Sequence, residues 1–224
     1  ELALSRLKED GLLVQWLPLH LVGPEDARSI TYTFNKVFPE FSVWNSFLTR
    51  IIMLIGSRKP VELNKKHFET LMENMEIQQI ANEMKVRSFL DFADFYITEG
   101  KHLSPFLEGA GEITDDFPLI EFSSVSLLPP LQWETDQSFL NLLRPRLDQV
   151  PKVNGISLGE KEIFEKDYAV RTAQRFGLFV RRYQGPGEKQ FTSRDYLGGL
   201  EALRLYFESH KTSQVLLQDA QWSD

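Results

Sequence analysis

Apolar residues run through Leu12-Leu13-Val14, break at Gln15-Trp16, resume at Leu17 and stop at Pro18. A run of that length, bounded by Gly11 and Pro18, predicts a buried strand whose carboxyl end carries polar and aromatic side chains towards a crevice. Ahead of it, Leu2, Leu4 and Leu7 mark the last turns of a helix, closed at Asp10-Gly11 where glycine can adopt the left-handed conformation. Behind it, Gly23-Pro-Glu-Asp26 starts a second helix, with proline early and acids in the first turn. Ala27, Ile30, Thr31, Phe34, Val37 and Phe38 recur at helical spacing, and Pro39 ends the segment. Residues 41–47 and 51–56 then read as strands, rich in β-branched and aromatic side chains. Only Leu48, Thr49 and Arg50 separate them, which forces an antiparallel hairpin because a parallel crossover needs about a dozen residues or more.

From Val61 the pattern turns helical. It predicts helices over 64–75 and 76–86, and a third over 89–98 that Ser88 caps and Gly100 stops. A short segment follows around 103–107, and then the polar turn at Thr114-Asp-Asp116. Leu127-Leu-Pro-Pro-Leu131 is a boundary signal, since consecutive prolines continue neither regular element. Beyond it the spacing predicts a helix over 136–150 with a kink at Pro145, a long amphipathic helix over 160–183, a turn at Gln184-Gly-Pro-Gly187 and a last helix from Thr192 or Ser193 to Phe207. The last two resemble a helical hairpin, with no internal sequence repeat behind it. Three regions result: an α/β part over 1–60, a helical closing segment over 61–126, and an α-helical extension over 127–224.

The order helix, strand, helix, strand, hairpin, strand is that of a mainly parallel α/β sheet with one antiparallel strand near its edge. The expected fold class is therefore α/β: the C-terminal half of a class I methyltransferase-like, Rossmann-like sheet, whose last strand inserts antiparallel beside the fifth. Fold of this kind does not fix function.

Composition narrows the chemistry. The chain has 224 residues, 42% hydrophobic and 25% charged, in the ordinary globular range. A net charge of -7 and a pI near 5.2 argue against non-specific nucleic-acid binding, which needs a basic footprint. The absence of cysteine removes disulfides, thiolate nucleophiles and cysteine zinc sites, and fits a reducing compartment. No apolar run approaches the roughly 20 residues of a membrane-spanning helix. The four histidines (His20, His67, His102 and His210) have no metal-site spacing, and no glycine-rich strand–loop–helix is present to cradle a nucleotide. Arg181-Arg182, with Lys189 and Arg194, is a solvated helix end.

Two places hold candidate site residues. Gln15, Trp16 and His20 stand towards the carboxyl end of the first strand, where open α/β sheets bind ligands; alternatively Trp16 fills core and Gln15 bonds a neighbouring loop. Asp115 and Asp116 are adjacent carboxylates able to bind an amine or act as a base; alternatively they form a turn in which Asp and Thr oxygens bond nearby amides.

Residues 7–20, with Pro24-Glu-Asp26, Thr33-Phe34, Val37-Phe-Pro39, Leu54-Ile-Gly-Ser57 and Thr114-Asp-Asp-Phe-Pro-Leu-Ile-Glu-Phe122, resemble the spermidine synthase superfamily, in its transporter-fused bacterial branch. The resemblance covers roughly 1–125, with Phe117 where the family motif has arginine. It implies aminopropyl transfer from decarboxylated S-adenosylmethionine to a diamine or polyamine, with Gln15 at a position that lines the amine pocket. It also implies that the donor-binding loop and the catalytic base belong to an N-terminal half not contained in these residues, so that the chain alone is inactive. Two alternatives share the sequence: an S-adenosylmethionine-dependent methyltransferase fragment, and a non-catalytic interaction module with a partner-binding helical tail over 132–224. The expected partners are an amine substrate and the missing half of the domain. If 224 residues are the whole polypeptide, a homodimer paired at the exposed strand edge is expected instead. The expected location is the cytoplasm, or the cytoplasmic part of a membrane-anchored protein.

Overall fold

The computed structural model describes residues 2–46, 50–118, 132–147 and 149–182. Contacts divide the chain into two compact units, one of Glu1–Pro145 with Pro151–Ile156, the other of Arg146–Val150 with the chain from Ser157 on. The expected linker at 127–131, the turn at 184–187 and the last helix lie outside the described residues.

The first unit is built on a mixed α/β arrangement. A short helix α1 (Leu2–Arg6) leads to strand β1 (Leu12–Pro18), helix α2 (Pro24–Val37), strand β2 (Glu40–Asn45) and strand β3 (Ile51–Ser57). Pro24 at the start of α2 and Glu25 and Asp26 in its first turn are the signals read in the sequence. The predicted hairpin is present: β2 and β3 pair antiparallel from Glu40↔Ser57 to Asn45↔Ile52, although residues 47–49 of its link fall outside the described residues. β3 also pairs antiparallel with β1, from Leu12↔Ser57 to Pro18↔Ile51. It therefore lies between β1 and β2, which run parallel to each other and are joined by α2.

A fourth strand, β5 (Tyr96–Glu99), closes the sheet in the order β1-β3-β2-β5. This corrects the expected helix over 89–98. Helix α5 (Phe89–Ala93) is capped by Ser88, whose Oγ accepts from Asp91 N–H, but it ends at Asp94. Phe89, Phe92, Ala93 and Tyr96 do sit at helical spacing. Ile97 and Thr98 are β-branched, however, and the free edge of β2 offers ladder hydrogen bonds that another helical turn does not. Gly100 opens a single 3-10 turn, Gly100–His102, rather than ending a helix.

Two further expectations are corrected at β1. Helix α1 ends at Arg6 rather than at Asp10-Gly11, and the Arg58 guanidinium donates to Leu4 O within it and to Leu7 O just beyond it. β1 itself is an edge strand, not a buried one. No described strand pairs with its outer edge, and Leu12, Val14 and Trp16, which share one face, remain 53%, 54% and 54% exposed.

Alternation sorts the sheet into two faces. Leu13, Leu54, Gly56, Val43 and Phe41 share the face on which α2 lies, with Phe34, Phe38 and Phe41 in ring contact. Trp16, Met53 and Trp44 are level with one another on the opposite face. There Trp44 is buried against Tyr96 and Phe92, while Phe92 stacks on Phe68 of helix α3 (Lys65–Met72). That cover ends over β2, so the β1 half of this face stays open.

The remaining elements of this unit are β4 (Leu63–Asn64), α4 (Met75–Glu83), α6 (Ser104–Leu107) and α7 (Gln132–Leu143), the last followed by a 3-10 turn through Leu147. Asn64 and Asn74 cap α3 and α4 with side-chain oxygens. β4 pairs with β6 (Val153–Asn154), so the region over 127–224, expected to be helical, also contains a short strand. In the second unit α8 (Leu158–Arg182) starts at a capping box, Ser157 N–H donating to Glu160 Oε2 and Glu160 N–H to Ser157 Oγ. Its buried side holds Arg146, whose guanidinium lies 4.0 Å over the Tyr168 ring and donates to Thr172 Oγ1.

Candidate functional site

Gln15 lies in the middle of β1, level with Leu54, and not beyond the carboxyl end of the strand. Its side chain is exposed and its Nε2 donates to Trp16 O at 2.9 Å. By alternation it faces the α2 side, whereas Trp16 points to the open face. His20 stands just past the strand, in a turn closed by Leu21 N–H donating to Pro18 O at 2.9 Å. The residue between them is held on every side. Leu19 is fully buried, its N–H donates to Arg50 O at 3.0 Å, and its carbonyl accepts from Thr135 Oγ1 on α7 at 3.3 Å.

Asp115 and Asp116 form the tip of a tight turn, and both are exposed. Thr114 and Phe117 close it: Phe117 N–H donates to Thr114 O and to Thr114 Oγ1, both at 3.0 Å. The threonine oxygens, rather than the aspartates, satisfy the turn amide. What places the turn is α2. Arg28 donates from Nε to Phe106 O and from Nη2 to Glu108 O, Lys36 pairs with Glu112, and Ile113 N–H donates to Thr33 Oγ1 at 2.9 Å. These bonds bind residues 106–113 as a strap along α2, running the same way as the helix. The hydrogen bond with Glu112 and its nearby charge hold the Lys36 ammonium above the ordinary lysine range.

The five sequence-predicted residues therefore fall into two groups. Gln15, Trp16 and His20 belong to β1 and the turn before α2. The carboxylates follow the residue held by Thr33, roughly 14 Å along the helix from Pro24 at about 1.5 Å per residue. No hydrogen bond or ion pair joins the groups among the described residues. Among those residues, too, no set of three or more His, Asp and Glu side chains is placed to hold a metal ion.

One feature of the site carried no sequence signal. His20 Nδ1 is buried without a hydrogen-bond partner, alone in this among the side-chain polar atoms of the described residues. Periodicity and residue type do not show such an atom; only packing does.

A titratable group near the strap gives a separate expectation. Burial, reinforced by the Lys101 charge and opposed by Glu99, depresses the His102 pKa below the ordinary histidine value. The unfolded chain then binds the extra proton first, so stability is full above about pH 6.5 and falls as pH drops through the depressed value. Urea midpoints at pH 7.5 and 5.5 are expected to lie closer together in His102→Gln than in the wild type; equal spacing would dismiss this role.

No protein-family model, curated protein or solved structure matches the chain significantly. The described fold is mixed α/β, with a four-stranded antiparallel sheet flanked by helices. Among the described residues no helix is long and apolar enough to cross a membrane.

Proposed function

We propose that the chain is the closing part of a spermidine synthase-like α/β domain and supplies one wall of its amine site. The observation that carries this reading is the strand order. β3 lies antiparallel between β1 and β2, and β1 and β2 are parallel strands joined by α2. A methyltransferase-like sheet ends with that arrangement, β1 taking the place of its fifth strand. The unpaired outer edge of β1 supports the reading, since a further strand of such a sheet would pair with it, and the helices that accompany such strands would cover the exposed Leu12, Val14 and Trp16. Gln15 and His20 then belong to the amine wall, while the strap carries Asp115 and Asp116 along α2 away from it.

The donor does not fit the residues present. Decarboxylated S-adenosylmethionine needs a glycine-rich turn between a strand and a helix, and the sequence holds none. The donor site and the base belong, in this reading, to another part of the domain.

The test is aminopropyl transfer to putrescine by the full-length gene product. It is expected to turn over, and Gln15→Ala is expected to lower kcat/KM about tenfold, the loss of one hydrogen bond to substrate. Residues 1–224 alone are expected to show no turnover above their own Gln15→Ala control. An inactive full-length product, or an active isolated chain, overturns the proposal.

A further inference from the structure

Asn154 is the one asparagine of the chain that a glycine follows; every other asparagine precedes a residue that carries a Cβ. The fold dictates that glycine. Gly155 has a φ of +74°, and a Cβ on it would come within 2.9 Å of Asn64 Oδ1 and 3.1 Å of Lys66 N. Asn154 is half-buried at the end of β6, Gly155 is exposed, and Asn154 Nδ2 donates to Glu62 Oε2 at 2.9 Å. That bond and the pairing of Leu63 with Val153 and of Asn64 with Asn154 join β6 to β4. Each strand is two residues long, so no longer ladder stands behind the pair.

A glycine nitrogen has no side chain of its own residue to shield it, and the carboxamide of a preceding asparagine is tethered where attack closes a five-membered ring. We infer that Asn154-Gly155 is a site of spontaneous deamidation, and that the reaction opens the β4–β6 pair. The Gly155 nitrogen gives up its proton to solvent and attacks Asn154 Cγ. The new N–Cγ bond replaces the Cγ–Nδ2 bond, and Nδ2 leaves as ammonia with a proton from water. Water then opens the succinimide at either carbonyl, leaving aspartate or isoaspartate. Either product undoes the bond to Glu62, because the donor is gone and two carboxylates face each other across the same gap. Isoaspartate also lengthens the main chain by a methylene, which the register with Asn64 does not accommodate. Glu62 sets the pace. While it holds Nδ2 and β6 stays paired, the carboxamide is kept from the Gly155 nitrogen, so the ring closes only after the pair opens locally. The change is one-way, runs with time rather than with a ligand, and is independent of the amine-site reading.

Peptide mapping by mass spectrometry of the chain aged at mildly alkaline pH tests it. The peptide holding Asn154 is expected to gain about 1 Da before any other asparagine peptide does. Glu62→Ala, which frees Nδ2, is expected to quicken that gain roughly threefold. Asn154→Asp, the aspartate product made outright, is expected to speed amide hydrogen exchange over residues 61–66 and 151–156 about tenfold and to leave β1, β2 and β3 unchanged. Glu62→Gln in that background, whose carboxamide donates to the new carboxylate, is expected to reverse most of the rise. Should Asn154→Asp fold poorly, the aged wild type, separated by ion exchange into amide and deamidated fractions, gives the same comparison. Conversion at Asn154 first, with the faster exchange and its reversal, supports the inference. An Asn154 that keeps its amide, or loses it no sooner than the other asparagines, overturns it. So does a deamidated fraction whose exchange over 151–156 equals that of the amide form, since β4 and β6 would then be paired in both.

Discussion

Replacing Gly56 with alanine is expected to destabilise the first unit by about 1–3 kcal/mol, although alanine is ordinarily no worse than glycine in a strand. The reason is steric. Gly56 sits in the central strand, level with Leu13 on one side and Phe41 on the other. A Cβ there would overlap the Phe38 ring. That ring cannot retreat, because Phe38 is buried, its backbone N–H is bonded to Phe34 O, and the Phe34 ring lies 4.6 Å away. Glycine is thus the space that lets the end of α2 rest on the sheet. Urea midpoints measure the effect. Phe38→Leu in the Gly56→Ala background should recover part of the loss, a non-additivity expected only of residues in contact. A Gly56→Ala protein within about 0.5 kcal/mol of wild type would show that α2 sits elsewhere.

Trp44→Ala is expected to have the larger effect, about 3–5 kcal/mol, the range for emptying a buried aromatic site. Trp44 is buried in β2, its Nε1 donates to Ser42 Oγ at 2.9 Å, and Tyr96 meets it edge-on at a centroid distance of 5.4 Å. Phe92, at 5.8 Å, links it through Phe68 to the helices on that face. Removing the indole leaves a cavity at the junction of β2, β5 and α5, and strands the Ser42 hydroxyl. Trp16→Ala is the control. Trp16 shares the face but stands in the open half, and about 1 kcal/mol or less is expected there. Equal losses at the two tryptophans would mean that the face is not divided as described.

That contrast shows where sequence was informative. Residue type gives no way to tell Trp16 from Trp44: each is an aromatic in an apolar stretch, and only the presence or absence of a covering helix separates them. The path from β1 through α2 to the hairpin was legible, because Pro24, the 3.6-residue spacing from Ala27 to Phe38 and the short link before Ile51 each state a local rule. Tyr96–Glu99 was not. Its aromatic and alanine spacing satisfied a helix, and the decision belonged to the distant edge of β2, a tertiary preference that outweighs a local one. The pairing of Leu63–Asn64 with Val153–Asn154 is two residues long and joins segments far apart in sequence, so no periodic signal announced it. At the candidate site the residue types were visible, but their grouping was not. The strap on α2 depends on Arg28 reaching the Phe106 and Glu108 carbonyls and on Thr33 receiving Ile113 N–H, bonds that backbone course alone decides.

The central place of β3 also governs the order in which the sheet can be assembled during synthesis. β2 and β3 are neighbours in sequence and can zip together as soon as both have emerged. β1 precedes them and has no partner among the described strands until β3 appears. At roughly 5–20 residues per second, the stretch Gly11–Leu19 waits several seconds outside the ribosome with no charged residue to keep it apart from other chains. That uncharged stretch is the part of the sheet that waits longest for its β3 partner, and a holdase that shields uncharged strands is expected to raise the folded yield.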